Sequence, residues 1–232
     1  MATTGTGLLF VLAECGPKVS EIEFNAWYDD EHAPARLTVP GFTSAARYKS
    51  IDSKTPSWVA IYDMDSTDVV FSEAYAALRT NASENERSII SRLALLNRRI
   101  YNHMTTVESP HFDPNSSAEF ILAVYMQPTA DDEVDFNQWY NEEHLDMLSK
   151  VPGFQRARRF KLISHVELAG KVNPLLAKTP TSYLTVYEWD SDSYKDTPEF
   201  ASALATPWSV QVFAKVTELD MGLFKIHKSF SR

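Results

Sequence analysis

Residues 24–48, FNAWYDDEHAPARLTVPGFTSAARY, occur again 112 positions later as 136–160, FNQWYNEEHLDMLSKVPGFQRARRF, with 12 of the 25 positions identical. The shared residues are Phe24/Phe136, Asn25/Asn137, Trp27/Trp139, Tyr28/Tyr140, Glu31/Glu143, His32/His144, Val39/Val151, Pro40/Pro152, Gly41/Gly153, Phe42/Phe154, Ala45/Ala157 and Arg47/Arg159. Self-similarity at a fixed offset marks a chain built from a repeated unit.

Each segment starts as an amphipathic helix and ends as a strand. Ser20 followed by Glu23 forms a capping box for a helix over residues 21–37. On a 100° wheel that helix groups Phe24, Trp27, Tyr28, Glu31 and Ala35 on one side, with His32 at the edge. Pro34, replaced by Asp146 in the second copy, is expected to kink or shorten the first helix. Asp132 is the expected cap in the second copy. Pro-Gly at 40–41 and 152–153 ends each helix and turns the chain into a strand, residues 42–49 in the first copy.

Outward from this core, LLFVLAE at 8–14 and residues 119–127 read as buried strands preceding the helices. SWVAIYDM at 57–64 matches SYLTVYEW at 182–189, now at an offset of 125, so the second copy carries 13 additional residues between its second and third strands. The insertion is read as a loop over Leu162–Pro180, either a surface hairpin or a lid. Helical spacing continues over Thr67–Leu96 and Thr197–Glu218, and Arg98–Val107 and Met221–Phe230 close the copies as strands. The order is β-α-β-β-α-β, twice. It predicts an α+β fold of two tandem ferredoxin-like repeats, residues 1–107 and 119–232, joined by the linker 108–118. A ferredoxin-like sheet leaves one face bare, so two in one chain are expected to pack sheet to sheet as an intramolecular α+β barrel. A homodimer is allowed but not required.

Composition excludes several classes. The 232 residues carry 31 acidic against 22 basic side chains, net −9, which disfavours nucleic acid and anionic membrane surfaces as partners. The longest apolar runs are too short to span a bilayer, no basic residues precede a secretory core, and a single Cys15 fits a reducing compartment. A cytoplasmic protein is expected. No Gly-rich phosphate loop or Gly-x-Ser-x-Gly elbow is present, and no histidine spacing favours a metal.

The residues Phe24-x-x-Trp27-Tyr28-x-x-Glu31-His32-x-Pro34, Val39-Pro40-Gly41-Phe42 and Arg47-Tyr48, repeated at Phe136–His144, Val151–Phe154 and Arg159–Phe160, resemble the EthD-like branch of the dimeric α+β barrel superfamily. That superfamily includes cofactor-free monooxygenases, polyketide cyclases, decarboxylases, isomerases and haem enzymes. The resemblance implies an apolar or aromatic, polyketide-like small molecule as ligand. It implies a cofactor-independent lyase or isomerase, with a cofactor-free or haem-dependent monooxygenase, or a non-catalytic binding or stress-related protein, as alternatives. The catalytic candidates are His32, Tyr28, Glu31, His144 and Tyr140, because a histidine sharing a helix face with a tyrosine four residues earlier can move protons near neutral pH. Trp27, Arg47, Tyr48, Tyr62, Trp139 and Arg159 are the candidate ligand-binding residues. Glu31 and Glu143, placed by the wheel near the middle of the apolar stripe, need partners, and Arg47 and Arg159 are the expected ones.

Overall fold

A computed structural model describes residues 7–170 and 179–231. Its eight strands are β1 (Gly7–Glu14), β2 (Phe42–Ser50), β3 (Trp58–Met64), β4 (Leu95–Glu108), β5 (Phe120–Pro128), β6 (Phe154–Ala169), β7 (Tyr183–Trp189) and β8 (Val216–Ser231). Eight short α-helices join them: α1 (Glu21–Trp27), α2 (Ala33–Leu37), α3 (Glu73–Thr80), α4 (Glu84–Arg92), α5 (Glu133–Trp139), α6 (Leu145–Leu148), α7 (Pro198–Leu204) and α8 (Pro207–Lys215). The fold is α+β with β-α-β-β-α-β order twice over, and the strands close in the order β1-β3-β2-β8-β5-β7-β6-β4.

The residues group into two compact units. Among the described residues, unit one draws on 7–103, 162–170, 179–180 and 226–231, and unit two on Met104–Lys161 and Thr181–Lys225. Strands β4, β6 and β8 therefore contribute to both. In unit one Leu9 of β1 faces Tyr62 of β3 and Ile100 of β4. In unit two Leu122 of β5 faces Tyr187 of β7 and Leu223 of β8 in the same antiparallel register. The alternation of strand side chains sends Leu9, Val11, Ala13, Ala45, Trp58, Ala60 and Tyr62 into a core with Phe24, Trp27 and Tyr28 of the helical layer. Leu122, Val124, Met126, Ala157, Tyr183 and Tyr187 do the same with Phe136, Trp139 and Tyr140.

The helix after β1 departs from the sequence expectation in a way that decides the site. Ser20 caps α1 by accepting the Glu23 backbone N–H at 3.1 Å, but α1 stops at Trp27. A π-helical turn, Tyr28–His32, follows before α2 begins. Unit two has the same turn at Tyr140–His144. Pro34 cannot be its cause, since Asp146 stands at that position in unit two. A π turn accommodates one residue more than an α turn, so the apolar stripe advances by one position after Tyr28. Phe24, Trp27 and Tyr28 are followed inward by His32, Ala33, Arg36 and Leu37, and Glu31 is turned to the rim.

Other boundaries moved as well. Asp132 stands at the N-cap of α5 as expected, but its side chain makes no capping bond; its carboxylate takes Lys215 at 2.8 Å and the Thr129 hydroxyl at 2.6 Å instead. The region read as helical over Thr67–Leu96 is a 3-10 turn (Thr67–Phe71), α3 and α4, each started by a serine cap, and Leu95 already belongs to β4. The insertion read as a loop over Leu162–Pro180 starts as strand, with β6 running on to Ala169. Residues 171–178, on which the lid reading depends, lie outside the described residues.

Gly41 and Gly153, one per unit, sit at φ +98° and +84° in the turns after α2 and α6. Their carbonyls accept the Asp65 and Asp190 backbone N–H groups at 2.8 and 3.0 Å, which fixes where β2 and β6 start. A Cβ at Gly41 would collide with the Val69 side chain, and one at Gly153 with the Asp190 carboxylate. Gly41→Ala and Gly153→Ala are each expected to lose about 1–3 kcal/mol of stability. Urea unfolding midpoints of the two variants, compared with an exposed alanine substitution, check this.

Candidate functional site

In unit one the π turn delivers His32 into a buried cluster. Its imidazole is 2% exposed and lies against the indole of Trp27 and the ring of Tyr28, with centroids 4.4 and 4.7 Å away. Nδ1 stands 2.8 and 3.0 Å from the two carboxylate oxygens of Glu86 on α4. Trp27 Nε1 donates to the same carboxylate at 2.6 Å. Arg36, also buried, donates from Nη1 to the His32 carbonyl at 2.7 Å. Beneath them the Tyr62 hydroxyl donates to that of Tyr28 at 3.2 Å.

The electrostatics assign roles. Burial and then the Arg36 guanidinium push the His32 pKa down to about 4, against the pull of Glu86. Burial alone would raise Glu86, but the hydrogen bond and charge of His32, with Arg36 and Trp27, bring it to about 2. Glu86 is accordingly an ionised acceptor and His32 a neutral ring. The shared bond makes Nδ1 the protonated nitrogen and leaves Nε2 as the basic one. Burial raises both Tyr28 and Tyr62, so both stay protonated and able to donate.

Glu86 is the residue that sequence reasoning missed. Its signal was present: Ser83-x-x-Glu86 is a capping box, and Ser83 Oγ accepts the Glu86 backbone N–H at 2.9 Å. The Glu86 side chain does not close that box but turns to His32 and Trp27. The partner expected for Arg47 also changes. Arg47 pairs with Asp29 Oδ1 and donates to Asn25 Oδ1 at 2.8 Å, under the Tyr28 ring. Glu31 instead accepts the Ser83 hydroxyl and Asn85 Nδ2, tying the π turn to the cap of α4. Glu143 does likewise with Thr206, the cap of α8, at 2.6 Å. Both glutamates thus hold helices together at the rim. Tyr48 neighbours Arg47 in β2 and so projects from the opposite face of the sheet.

Unit two repeats the scaffold without the dyad. His144 stacks on Trp139 at 4.0 Å, but Ser209 occupies the place of Glu86, third after the helix cap, and takes Trp139 Nε1 at 3.1 Å. His144 is bonded to the Ala203 backbone, and burial holds its pKa near 3. Its Nδ1 has no partner among the described residues. Leu148 replaces Arg36, and the Tyr140 hydroxyl meets Met126 Sδ at 3.3 Å. Of the two histidines, only His32 has a carboxylate behind it.

No sequence-family profile matches the chain, and no characterised protein matches it by sequence. Solved structures do match over nearly its whole length. An anthrone oxidase-like protein aligns with a TM-score of 0.64 at 13% identity, covering 97% of this chain and 92% of its own. A protein assigned as a monooxygenase from Fusobacterium nucleatum gives 0.59 at 8% identity over 98% and 95%. One so assigned from Lactobacillus acidophilus gives 0.58 at 9% over 97% and 96%. These are ferredoxin-like α+β barrel proteins, and at such identities the likeness shows the fold alone.

Among the described residues no group of three or more His, Cys, Asp or Glu side chains could hold a metal, and no helix is long and apolar enough to cross a membrane. Nδ1 of His32 is taken by Glu86, so an axial bond to haem iron would fall to Nε2, and both motif imidazoles are packed against their own indoles, His32 2% and His144 4% exposed.

These pKa shifts fix the acid response. Unfolded histidine titrates near 6.5, so between about 6.5 and 4 the unfolded chain takes up protons that folded His32 refuses, and stability falls as pH falls. His144 acts with the same sign, down to about 3. Glu86 adds stability above the unfolded glutamate pKa that is lost as pH drops towards 2. Melting temperature measured from pH 7 to 4 should thus fall less steeply in His32→Gln and in His144→Gln than in the wild type.

Proposed function

We propose that the chain is a small-molecule enzyme, an internally duplicated member of the EthD-like branch, whose working site is the Trp27–Glu86–His32 cluster of unit one. The observation that carries this reading is the asymmetry between the units. Both keep the buried histidine and its tryptophan, yet only unit one has a carboxylate on Nδ1. In unit two the histidine packs without one, with Ser209 in that place and Leu148 in place of Arg36.

A carboxylate that accepts from Nδ1 fixes the imidazole tautomer and stabilises the imidazolium formed when Nε2 takes a proton. His32 would be the general base and then the acid. Tyr28, held protonated with Tyr62, would donate to the oxyanion that develops on an enol or phenol. Trp27 and Glu86 fix the ring. With the imidazole 2% exposed, ligand access requires the packing around it to open, and exclusion of water then favours charge stabilisation by these fixed donors. The ligand class is an apolar or aromatic molecule with an acidic C–H or phenolic O–H, and the reaction is proton transfer leading to isomerisation, cyclisation or decarboxylation.

The fold relatives named as anthrone oxidase-like and as monooxygenases favour a second reading, a cofactor-free oxygenation, which begins with the same proton abstraction and continues with dioxygen. Anthrone-type and phenolic polyketide-like compounds test both. Deuterium entry at the acidic carbon in D₂O without oxygen uptake supports the lyase or isomerase reading; oxygen uptake supports oxygenation. Binding with neither supports a non-catalytic role. For either enzyme reading, His32→Gln should lower turnover by about 10²–10⁴ and Glu86→Gln should lower it less, while His144→Gln should leave it unchanged. Equal losses in the two histidine variants, tracking their melting temperatures, would assign both rings to packing.

A further inference from the structure

The buried arginines of the two units are held alike but neutralised differently. In unit one Arg47 donates from Nη2 to Asn25 at 2.8 Å, lies 4.3 Å from the Tyr28 centroid, and pairs through Nη1 with the Asp29 carboxylate. His227 Nε2 at 3.0 Å and Lys228 Nζ at 3.7 Å reach the second oxygen of Asp29. In unit two Arg159, 1% exposed, donates from Nη2 to Asn137 at 2.9 Å and lies 3.8 Å from the Tyr140 centroid. The residue of unit two that corresponds to Asp29 is 141. Asn141 stands there, exposed, accepting the Thr105 hydroxyl at 3.5 Å.

The register carries the comparison further. Ile100 and Leu223 hold equivalent places opposite Leu9 and Leu122, which sets Met104 where unit one has His227 and Thr105 where it has Lys228. Asp, His and Lys are all replaced by neutral residues, and the arginine alone remains charged. Arg159 Nη1 has no hydrogen-bond partner among the described residues. An unmatched guanidinium in a protein interior is costly, and a buried cation deprived of its partner is strongly destabilising. Burial lowers the Arg159 pKa, and the neighbours that counter this are the three tyrosines Tyr140, Tyr187 and Tyr183.

We infer that unit two is a binding site for a small monocarboxylate anion, which pairs with Arg159 Nη1 in the place that the Asp29 carboxylate fills in unit one. With Nη2 held by Asn137, Nη1 offers the anion a charge-assisted hydrogen bond, as Arg47 Nη1 does to Asp29. Asn141 and Thr105, neutral and on the outer side, admit the anion without repelling it and offer it an amide N–H and a hydroxyl. The site is independent of the chemistry assigned to His32.

Sodium formate is the probe, titrated at constant ionic strength set with the bulky sulfonate HEPES, and melting temperature is the readout. Wild-type protein should rise saturably, by on the order of 3 °C. Asn141→Asp supplies the carboxylate covalently; it should melt higher without formate and show no saturable response. Arg159→Met removes the cation while keeping apolar volume; it should fold and also lose the response, and it decides the matter should Asn141→Asp fail to fold. No saturable rise in the wild type, or a wild-type response retained in either folded variant, overturns the proposal.

Discussion

One residue too many in a helical turn sets the chemistry of this protein. The π turns at Tyr28–His32 and Tyr140–His144 rotate everything after the first tyrosine by one position. Without them the glutamate of each Glu-His pair would face the apolar core and the histidine would slide to the edge. With them the histidine is buried against tryptophan, and the glutamate reaches the cap of the facing helix. A less favourable backbone geometry is thereby held in place by a hydrogen bond at the rim and aromatic packing inside. π turns often mark functional sites for this reason: they redirect one side chain without disturbing the helix on either side.

The second shared device is the arginine beneath the tyrosine. Arg47 and Arg159 lie within the aromatic layer of each unit, so the cationic face of the guanidinium meets Phe24, Tyr28 and Trp58, or Phe136, Tyr140 and Tyr183. Such contacts partly replace lost hydration, and each asparagine fixes the fork. Among the differences between units, three change the charge around this common frame: Glu86 against Ser209, Arg36 against Leu148, Asp29 against Asn141.

The fold was legible because period, capping and punctuation agreed along the chain. The buried run of β1, the Ser20 cap and the Pro-Gly turns all pointed to one topology. The site was half legible. Trp27, Tyr28, His32, Arg47 and Tyr62 converge in unit one, and Trp139, Tyr140, His144 and Arg159 in unit two, on the helix-facing side of the sheet. A wheel at 100° per residue could not show Glu31 leaving the core, since it assumes the α period throughout. Glu86 escaped because a glutamate third after a serine cap has a sufficient local explanation. Its use by a histidine 54 residues away is a tertiary fact. The same wheel that put Glu31 in the core made it the expected partner of Arg47, whereas Arg47 pairs with Asp29 at the π turn.

The passage of β4, β6 and β8 through both units bears on how the protein is made. Unit one takes residues 226 onward from the final strand, and its sheet also uses the distal part of β6. A ribosome releases the first hundred residues long before those segments emerge, so the nascent first half has a helical layer and a partial sheet but cannot finish its pairing. Completion must wait for residues 226–231. High sequence separation slows folding and leaves strand edges exposed meanwhile. A stop codon or proteolytic cut shortly before residue 226 would therefore disable the first unit, whose sequence it leaves almost untouched.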